Sequence, residues 1–200
     1  STEYSLIDRI DYSNDTATAA VKGPLNTSPN RNFELAGMSP KSNAISGGTL
    51  FPTASPERQN VVPLPEFGYI GGGTNPATPS IFSSVDRIDF SNDTATASPR
   101  GNVLGSPVKE LAAMGNTTHG YFAGGRDPSS SPSTLSTVDR IDYSSDTSSA
   151  APKGNLTGAR YNHCATGNQH FGYVAGASSN PLSSGLERIN YSNDTAQASP

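Results

Sequence analysis

Along this chain apolar and polar residues alternate in short runs, and one run recurs four times. It reads LIDRIDYSNDTATA from Leu6, VDRIDFSNDTATA from Val85, VDRIDYSSDTSSA from Val138 and LERINYSNDTAQA from Leu186. Alternation with a period of two predicts a strand, because successive side chains leave a strand on opposite faces. Each run reaches a Tyr or Phe and passes into Ser-Asn-Asp-Thr (Ser-Ser-Asp-Thr in the third), residues suited to a tight turn. The small residues beyond it predict a second strand, so each run reads as a β-hairpin. Aligned on Arg9, Arg87, Arg140 and Arg188, the copies are spaced by 78, 53 and 48 residues. A period near 50 with one long interval predicts a repeat protein whose first unit carries an insertion.

One unit can be followed from Val85. Strand Val85–Phe90 turns at Ser91-Asn92-Asp93 into Thr94–Ser98, and Pro99, Gly101 and Pro107 punctuate a connection. Glu110–Met114 is expected to be a third strand and His119–Gly125 a fourth, joined by a reversal at Gly115–Thr118. The loop Arg126–Ser136 leads to the next unit, where His163–Ala177 repeats the strand pair with Asn168-Gln169 at its turn. Helix is not expected: Val108–Met114 is the nearest candidate, and its counterpart ARYNHCAT is a poor helix former.

In the first unit, Asn32–Met38 matches the third strand and Phe67–Gly73 the fourth. Where the other copies have a short turn, this one has an excursion at 40–66, rich in Pro and Ser. The whole chain, 1–200, is then one repeat domain with units at 6–84, 85–137, 138–185 and a partial unit at 186–200. Three units and a fraction do not close a ring, so either a longer chain or neighbouring copies in a homo-oligomer are expected to complete the architecture.

Composition narrows the classes. Hydrophobic residues are only 32% of the chain, which predicts a thin core spread over many turns, and a net charge of −4 is too small to indicate disorder. That mild acidity offers no footprint for nucleic acid or an anionic membrane. No apolar run approaches the roughly 18 residues that span a bilayer. The opening STEYS has no signal-peptide pattern and no initiator Met, so a processed chain or part of a longer one is expected. Cys164 is the single cysteine, which rules out an intrachain disulfide and predicts a small buried hydrophobe in a strand.

The unit resembles a kelch repeat: Val85 with Ile88-Asp89, Val138 with Ile141-Asp142, and strands GYIGGG and GYFAGG ending in diglycine. The resemblance covers nearly the whole chain and implies an all-β, kelch-like β-propeller of four-stranded blades, with a β-solenoid as the alternative. Two departures stand out. The chain has no Trp, small residues such as Ala17, Ala95, Ser148 and Ala196 lying near its usual place, and the third copy reads Ala175-Gly176-Ala177. The wording DRIDFSNDTATASPRG also resembles tandem repeats in structural proteins of marine tailed phages, notably cyanophages. That resemblance implies a non-enzymatic structural or adhesive protein of the virion, a tail fibre, whisker or decoration. Its expected partners are other virion subunits or a host surface glycan or protein. A kelch-type interaction scaffold and a propeller enzyme acting on polysaccharide are the alternatives.

Catalytic and metal chemistry find little purchase. The turn Asp11–Thr16 lacks the ligand spacing, the Gly and the terminal Glu of a calcium loop. His119, His163 and His170 do not share one repeat position, and His119 and His170 are expected to be exposed turn residues. No nucleophile elbow occurs, and GYIGGG lacks the Lys-Ser/Thr of a phosphate loop. Asn-x-Ser/Thr at Asn14, Asn26, Asn92, Asn116, Asn155, Asn190 and Asn193 reflects Asn/Thr-rich turns. No catalytic residue, cofactor or metal is therefore assigned.

The residues that persist have structural expectations instead. Val85, Arg87 and Asp89 share one strand face, and Asp86, Ile88 and Phe90 the other. Stacked units would bring Arg87 and Arg140 toward Asp86, Asp89, Asp139 and Asp142 as an ion-pair lattice, solvated charges being the alternative. Arg9 and Arg188 hold the same position in their copies, and Tyr69, Tyr121 and Tyr173, before the glycine ends, are expected in the core or between units. Binding is expected of the loops Thr74–Ser84, Arg126–Thr137 and Ser178–Gly185, and of the excursion through Phe51, Arg58, Gln59 and Asn60.

Overall fold

The computed structural model describes residues 6–9, 20–24, 36–38, 67–75, 80–92, 94–102, 104–177 and 183–200. Its first strands, β1 (Leu6–Arg9) and β2 (Ala20–Pro24), form an antiparallel pair. β3 (Ala36–Met38) and β4 (Phe67–Gly71) follow, then a short ribbon of β5 (Thr74–Asn75) and β6 (Ser80–Ile81). β7 (Ser84–Asp89) and β8 (Ser98–Asn102) complete a four-stranded antiparallel sheet in the order β3-β4-β7-β8. The next unit repeats it with β9 (Ala112–Gly115), β10 (His119–Ala123), β11 (Val138–Asp142) and β12 (Ala151–Pro152), ordered β12-β11-β10-β9. A third sheet holds β13 (Cys164–Gly167), β14 (Phe171–Ala177) and β15 (Ser183–Asn190), with Ser199 bridging to Arg188 where a fourth strand would lie. The chain is mostly β, built from several small antiparallel sheets.

Consecutive sheets pack face to face. Tyr69, Val85, Phe122 and Ile141 lie in one cluster, joining the β3–β8 sheet to the β9–β12 sheet. Met114, Tyr121, Val138, Val174 and Ile189 form the next, between the β9–β12 sheet and the β13–β15 sheet. In β10, Tyr121 and Phe122 thus enter different cores, and the middle sheet is buried on both sides. Each core is small and belongs to a pair of neighbours, as in repeat architectures.

The hairpin reversal is longer than its sequence suggests. The Asp89 carboxylate accepts hydrogen bonds from the Ser91 amide and hydroxyl, at 2.9 and 2.6 Å, as the chain enters a 3-10 turn at Phe90–Asn92. Asp142 does the same for Ser144, and Asn190 for Ser192. This local competition for backbone amides ends the strand early. The second strand of the hairpin is then Ser98–Asn102, and Thr94–Ala97 belongs to the reversal.

Val108–Met114 contains no helix; β9 begins at Ala112, after Glu110 adopts a φ of 58°. Asn162 holds the equivalent position with a φ of 51°, so the two copies share this backbone kink. The glycine ends also have positive φ, at 71° and 99° for Gly72 and Gly73 and at 61° and 102° for Gly124 and Gly125. There the next unit comes close: the amides of Gly73 and Gly125 donate to the carbonyls of Val108 and Arg160, each at 2.8 Å.

One expectation is corrected by register. Cys164 is exposed on β13, not buried. His163 beside it is buried, at the position that Leu111 fills in the preceding unit. In a sheet that can bury both faces, alternation does not say which of two neighbours turns inward.

Candidate functional site

Two arrangements stand out among the described residues: a clasp that repeats between sheets, and a polar groove along one rim.

In the clasp, Arg87 on β7 and Tyr69 on β4 are cross-strand partners. Both reach Asp146 of the next unit: the Tyr69 hydroxyl donates at 3.0 Å and the Arg87 guanidinium at 3.0 Å to the same Oδ2. Arg100 on β8 takes the other oxygen at 3.3 Å. One unit later the set recurs: Tyr121 at 2.9 Å, Arg140 at 2.8 Å and Lys153 at 3.3 Å all hold Asp194. The tyrosines also stack on the aromatic that precedes each held turn, Tyr69 on Tyr143 and Tyr121 on Tyr191, with ring centroids 4.8 and 4.6 Å apart. Burial pushes the Asp194 carboxyl up, but the Tyr121 hydrogen bond and the charges of Arg140 and Lys153 outweigh it and leave it below its ordinary range. Burial, reinforced by the adjoining carboxylate, raises the phenols of Tyr69 and Tyr121.

The arginines therefore do form ion pairs between units, but with different acids from those expected. Their partners are the aspartates of the Ser-Asn/Ser-Asp-Thr turns, whereas Asp89 and Asp142 serve the 3-10 turns. Asp139 instead accepts the backbone amide of Gly105 at 3.0 Å, and Glu187 accepts that of Thr157 at 2.6 Å. Glu187 is also paired with Arg160, both side chains being buried. A signal for Asp146 and Asp194 was present: an aspartate stands at that place in all four copies, and a basic residue recurs at Lys22, Arg100 and Lys153.

Tyr69 and Tyr121 are buried, while Tyr173 is only half-buried. Arg188 is exposed and lies over the Phe171 ring, 4.9 Å from its centroid. Arg9 ends β1 and is exposed. Phe51, Arg58, Gln59, Asn60 and the rest of the excursion lie outside the described residues. The loops Thr74–Ser84 and Arg126–Thr137 are partly paired: the first contains the β5–β6 ribbon, and in the second Arg126 bridges to Thr134.

The groove, about 430 Å³, runs between the β9–β10 and β13–β14 turns. Asn116, Thr118 and His119 form one wall, Gln169, His170 and Phe171 the other, and Asn190–Ser192 close it. The Gln169 side-chain carbonyl ties the walls together by accepting from the Thr117 amide and hydroxyl at 3.3 and 3.1 Å. Burial, helped by the charge of Arg140, lowers the pKa of His119, so its ring favours the neutral form. The lining thus presents amides, hydroxyls, imidazoles and an aromatic ring, groups able to hydrogen-bond and stack on a polar ligand. His119 and His170 both line it, a convergence that their differing repeat positions concealed. The third histidine lies elsewhere: His163 Nε2 is 3.1 Å from the Ala123 carbonyl oxygen, and burial lowers its pKa to about 4. No known protein family matches the chain, and no curated protein shows significant sequence similarity to it.

Proposed function

We propose that the chain is a run of kelch-like propeller blades acting as a non-enzymatic structural and adhesive part of a phage virion, where it contacts a host surface or a neighbouring subunit. The observation that carries this reading is the use made of the repeated charged residues. Arg87 and Arg140, with Tyr69 and Tyr121, are consumed in holding one sheet to the next. These four recurring residues are thereby accounted for by assembly of the scaffold. What differs from unit to unit lies at the rim, where the groove collects His119, Gln169, His170 and Phe171. Four-stranded antiparallel meanders packed face to face, with glycine ends against the following unit, support the propeller architecture.

The chemistry of the groove lining supports the adhesive reading. Amide and hydroxyl groups beside a phenyl ring suit a glycan or a polar protein surface, as β-rich scaffolds present recognition on their connections. The excursion joins β3 to β4, and the groove-lining turns join the corresponding strands β9–β10 and β13–β14. Its ends therefore belong to the same class of connection. The test is binding of the purified chain to a glycan array and to host cells, with Gln169→Ala and Phe171→Ala alongside. Binding that both substitutions weaken supports adhesion through the groove. Equal binding by both removes the groove from the reading, and hydrolysis of a polysaccharide by the chain overturns its non-enzymatic character.

A further inference from the structure

Two residues that line the rim groove break the repeat. His119 opens β10 where the other units place Phe67 and Phe171, and Asn190 ends β15 where the others place Asp89 and Asp142. In the first unit the Phe67 ring is packed away: it lies against the core cluster that also takes up Tyr143 of the next unit, with the Arg87 guanidinium 4.1 Å from its centroid. His119 stands at the same register, and beside it lies the groove, lined also by Tyr191, the counterpart of Tyr143. The Asn190 position stays open in an internal unit too, since Asp89 and Asp142 are exposed with the following unit in place.

The hydrogen bonds of the lining leave it rich in donors. Asn116 Oδ1 accepts from the Thr118 and His119 amides, each at 2.9 Å, and from the Thr118 hydroxyl at 3.0 Å. Gln169 Oε1 is taken by Thr117, and Asn190 Oδ1 accepts from the Ser192 amide at 3.1 Å and its hydroxyl at 2.8 Å. Backbone N–H groups thus fix the orientation of all three side-chain amides, spending each oxygen on the chain and leaving each NH2 over. The Asn116 NH2 has one long contact, 3.5 Å to the Gln169 backbone carbonyl, and those of Gln169 and Asn190 donate to no acceptor among the described residues. The lining contains no Lys, Arg, Asp or Glu, and the exposed carboxylate of Asp142 stands cross-strand from His119. The His119 ring, whose pKa burial and Arg140 lower, favours its neutral form.

We propose that the groove binds an uncharged sugar bearing an acetamido group, whose carbonyl and hydroxyl oxygens accept from the amides of Asn116, Gln169 and Asn190. The inference rests on the adhesive reading of the groove and adds the class of its ligand. NH2 groups with unspent donors call for acceptors. An anion would supply them, but it would find no cation in the lining and would lie beside the Asp142 carboxylate. A peptide strand would bring an N–H with each carbonyl, and the amide oxygens that could take those protons are already used. The hydroxyls of a sugar accept as well as donate, and an acetamido group adds a carbonyl acceptor.

Calorimetric titration of the full chain with matched trisaccharides tests it. N-acetylated chitotriose carries acetamido groups, cellotriose has hydroxyls in their place, and the glucuronate trimer carries carboxylates. Chitotriose is expected to bind about fivefold tighter than cellotriose, or better, and the glucuronate trimer no tighter than cellotriose. Asn190→Asp exchanges a donor for an acceptor and is expected to weaken chitotriose binding roughly tenfold. His119→Phe fills the groove and is expected to abolish binding. Both variants install residues that other units carry, and Asp89 and Asp142 hold the same turn through the same serine, so the fold is kept, which circular dichroism checks. Equal affinity for chitotriose and cellotriose, preference for the glucuronate trimer, or unchanged binding by either variant overturns the inference. Attachment to host cells by a chain that binds none of the trisaccharides also overturns it, while leaving adhesion standing. If that attachment survives removal of the cells' glycans, the partner is a protein surface. A chain that binds neither sugar nor cells fails both readings.

Discussion

Asp139 and Arg140 are consecutive residues of one strand, and each holds a different neighbouring unit. Asp139 accepts the Gly105 amide of the preceding unit at 3.0 Å, and Arg140 donates to Asp194 of the following one at 2.8 Å. The period-two geometry of a strand makes this possible, since adjacent side chains leave opposite faces. Ile141 and Tyr143 accompany Asp139 into the preceding core, while Val138 accompanies Arg140 into the following one. One short strand therefore couples three units, and several testable consequences rest on that coupling.

Removing the held carboxylate leaves three donors without their acceptor. Asp194→Ala is expected to lower the free energy of unfolding by about 3 kcal/mol, since Tyr121, Arg140 and Lys153 lose their shared partner. Urea denaturation measures it, and a double-mutant cycle with Arg140→Ala should show strong non-additivity. Additive losses would mean that the two side chains act separately. The depressed Asp194 carboxyl also sets a sign: its contribution is present above the ordinary carboxylate range and is lost as pH falls through the folded-state value.

His163 gives a second acid sensitivity in a different window. Burial holds its pKa at about 4, below the ordinary 6.5, so the unfolded chain takes up the proton first. Stability from the neutral ring is complete above pH 6.5 and is lost as pH falls toward 4, by roughly 3 kcal/mol over that interval. His163→Leu, which installs the residue of the equivalent position Leu111, should flatten this part of the stability–pH profile. An unchanged slope between those pH values would show that His163 does not titrate with unfolding.

Glycines at matched φ separate backbone strain from contact. Gly124→Ala forces both a φ of 61° and a Cβ 2.7 Å from His163 and 2.8 Å from the Arg160 carbonyl oxygen. Its expected cost is roughly 2–4 kcal/mol. Gly176→Ala, at a φ of 68° with open space around it, carries the strain alone and should cost about 1 kcal/mol. Thermal unfolding of the two variants measures the difference, and equal losses would show that the approach of the next unit adds nothing.

The excursion can be tested by deletion. Removing 41–65 should leave thermal unfolding nearly unchanged and weaken attachment to host or neighbouring subunit, since β3 and β4 pair across Gly37↔Ile70 through their own backbone. Loss of folding would instead make the excursion a structural element.

Much of this architecture is legible in the residues themselves. Alternation in VDRID, the turn chemistry after it and the glycines after GYI and GYF place the strands and the reversals, because these depend on neighbours one to four positions away. The tyrosine before the glycine ends and the arginine of the hairpin also announce a structural role by recurring. Local chemistry still misled at one point: the Asp89–Ser91 hydrogen bonds lengthen the reversal and move the second strand to Ser98.

Only the tertiary structure decided which acid each arginine holds, since Arg140 and Asp194 are 54 residues apart and several carboxylates lie nearer in sequence. It alone turned His163 inward and Cys164 outward, because a sheet that can be covered on both faces gives alternation no preferred side. It also drew His119 and His170, which differ by one place within their repeats, into one groove. The sequence determined what each strand is. Stacking determined what each face meets, because contacts between sheets depend on how whole units pack, which no short window of residues encodes.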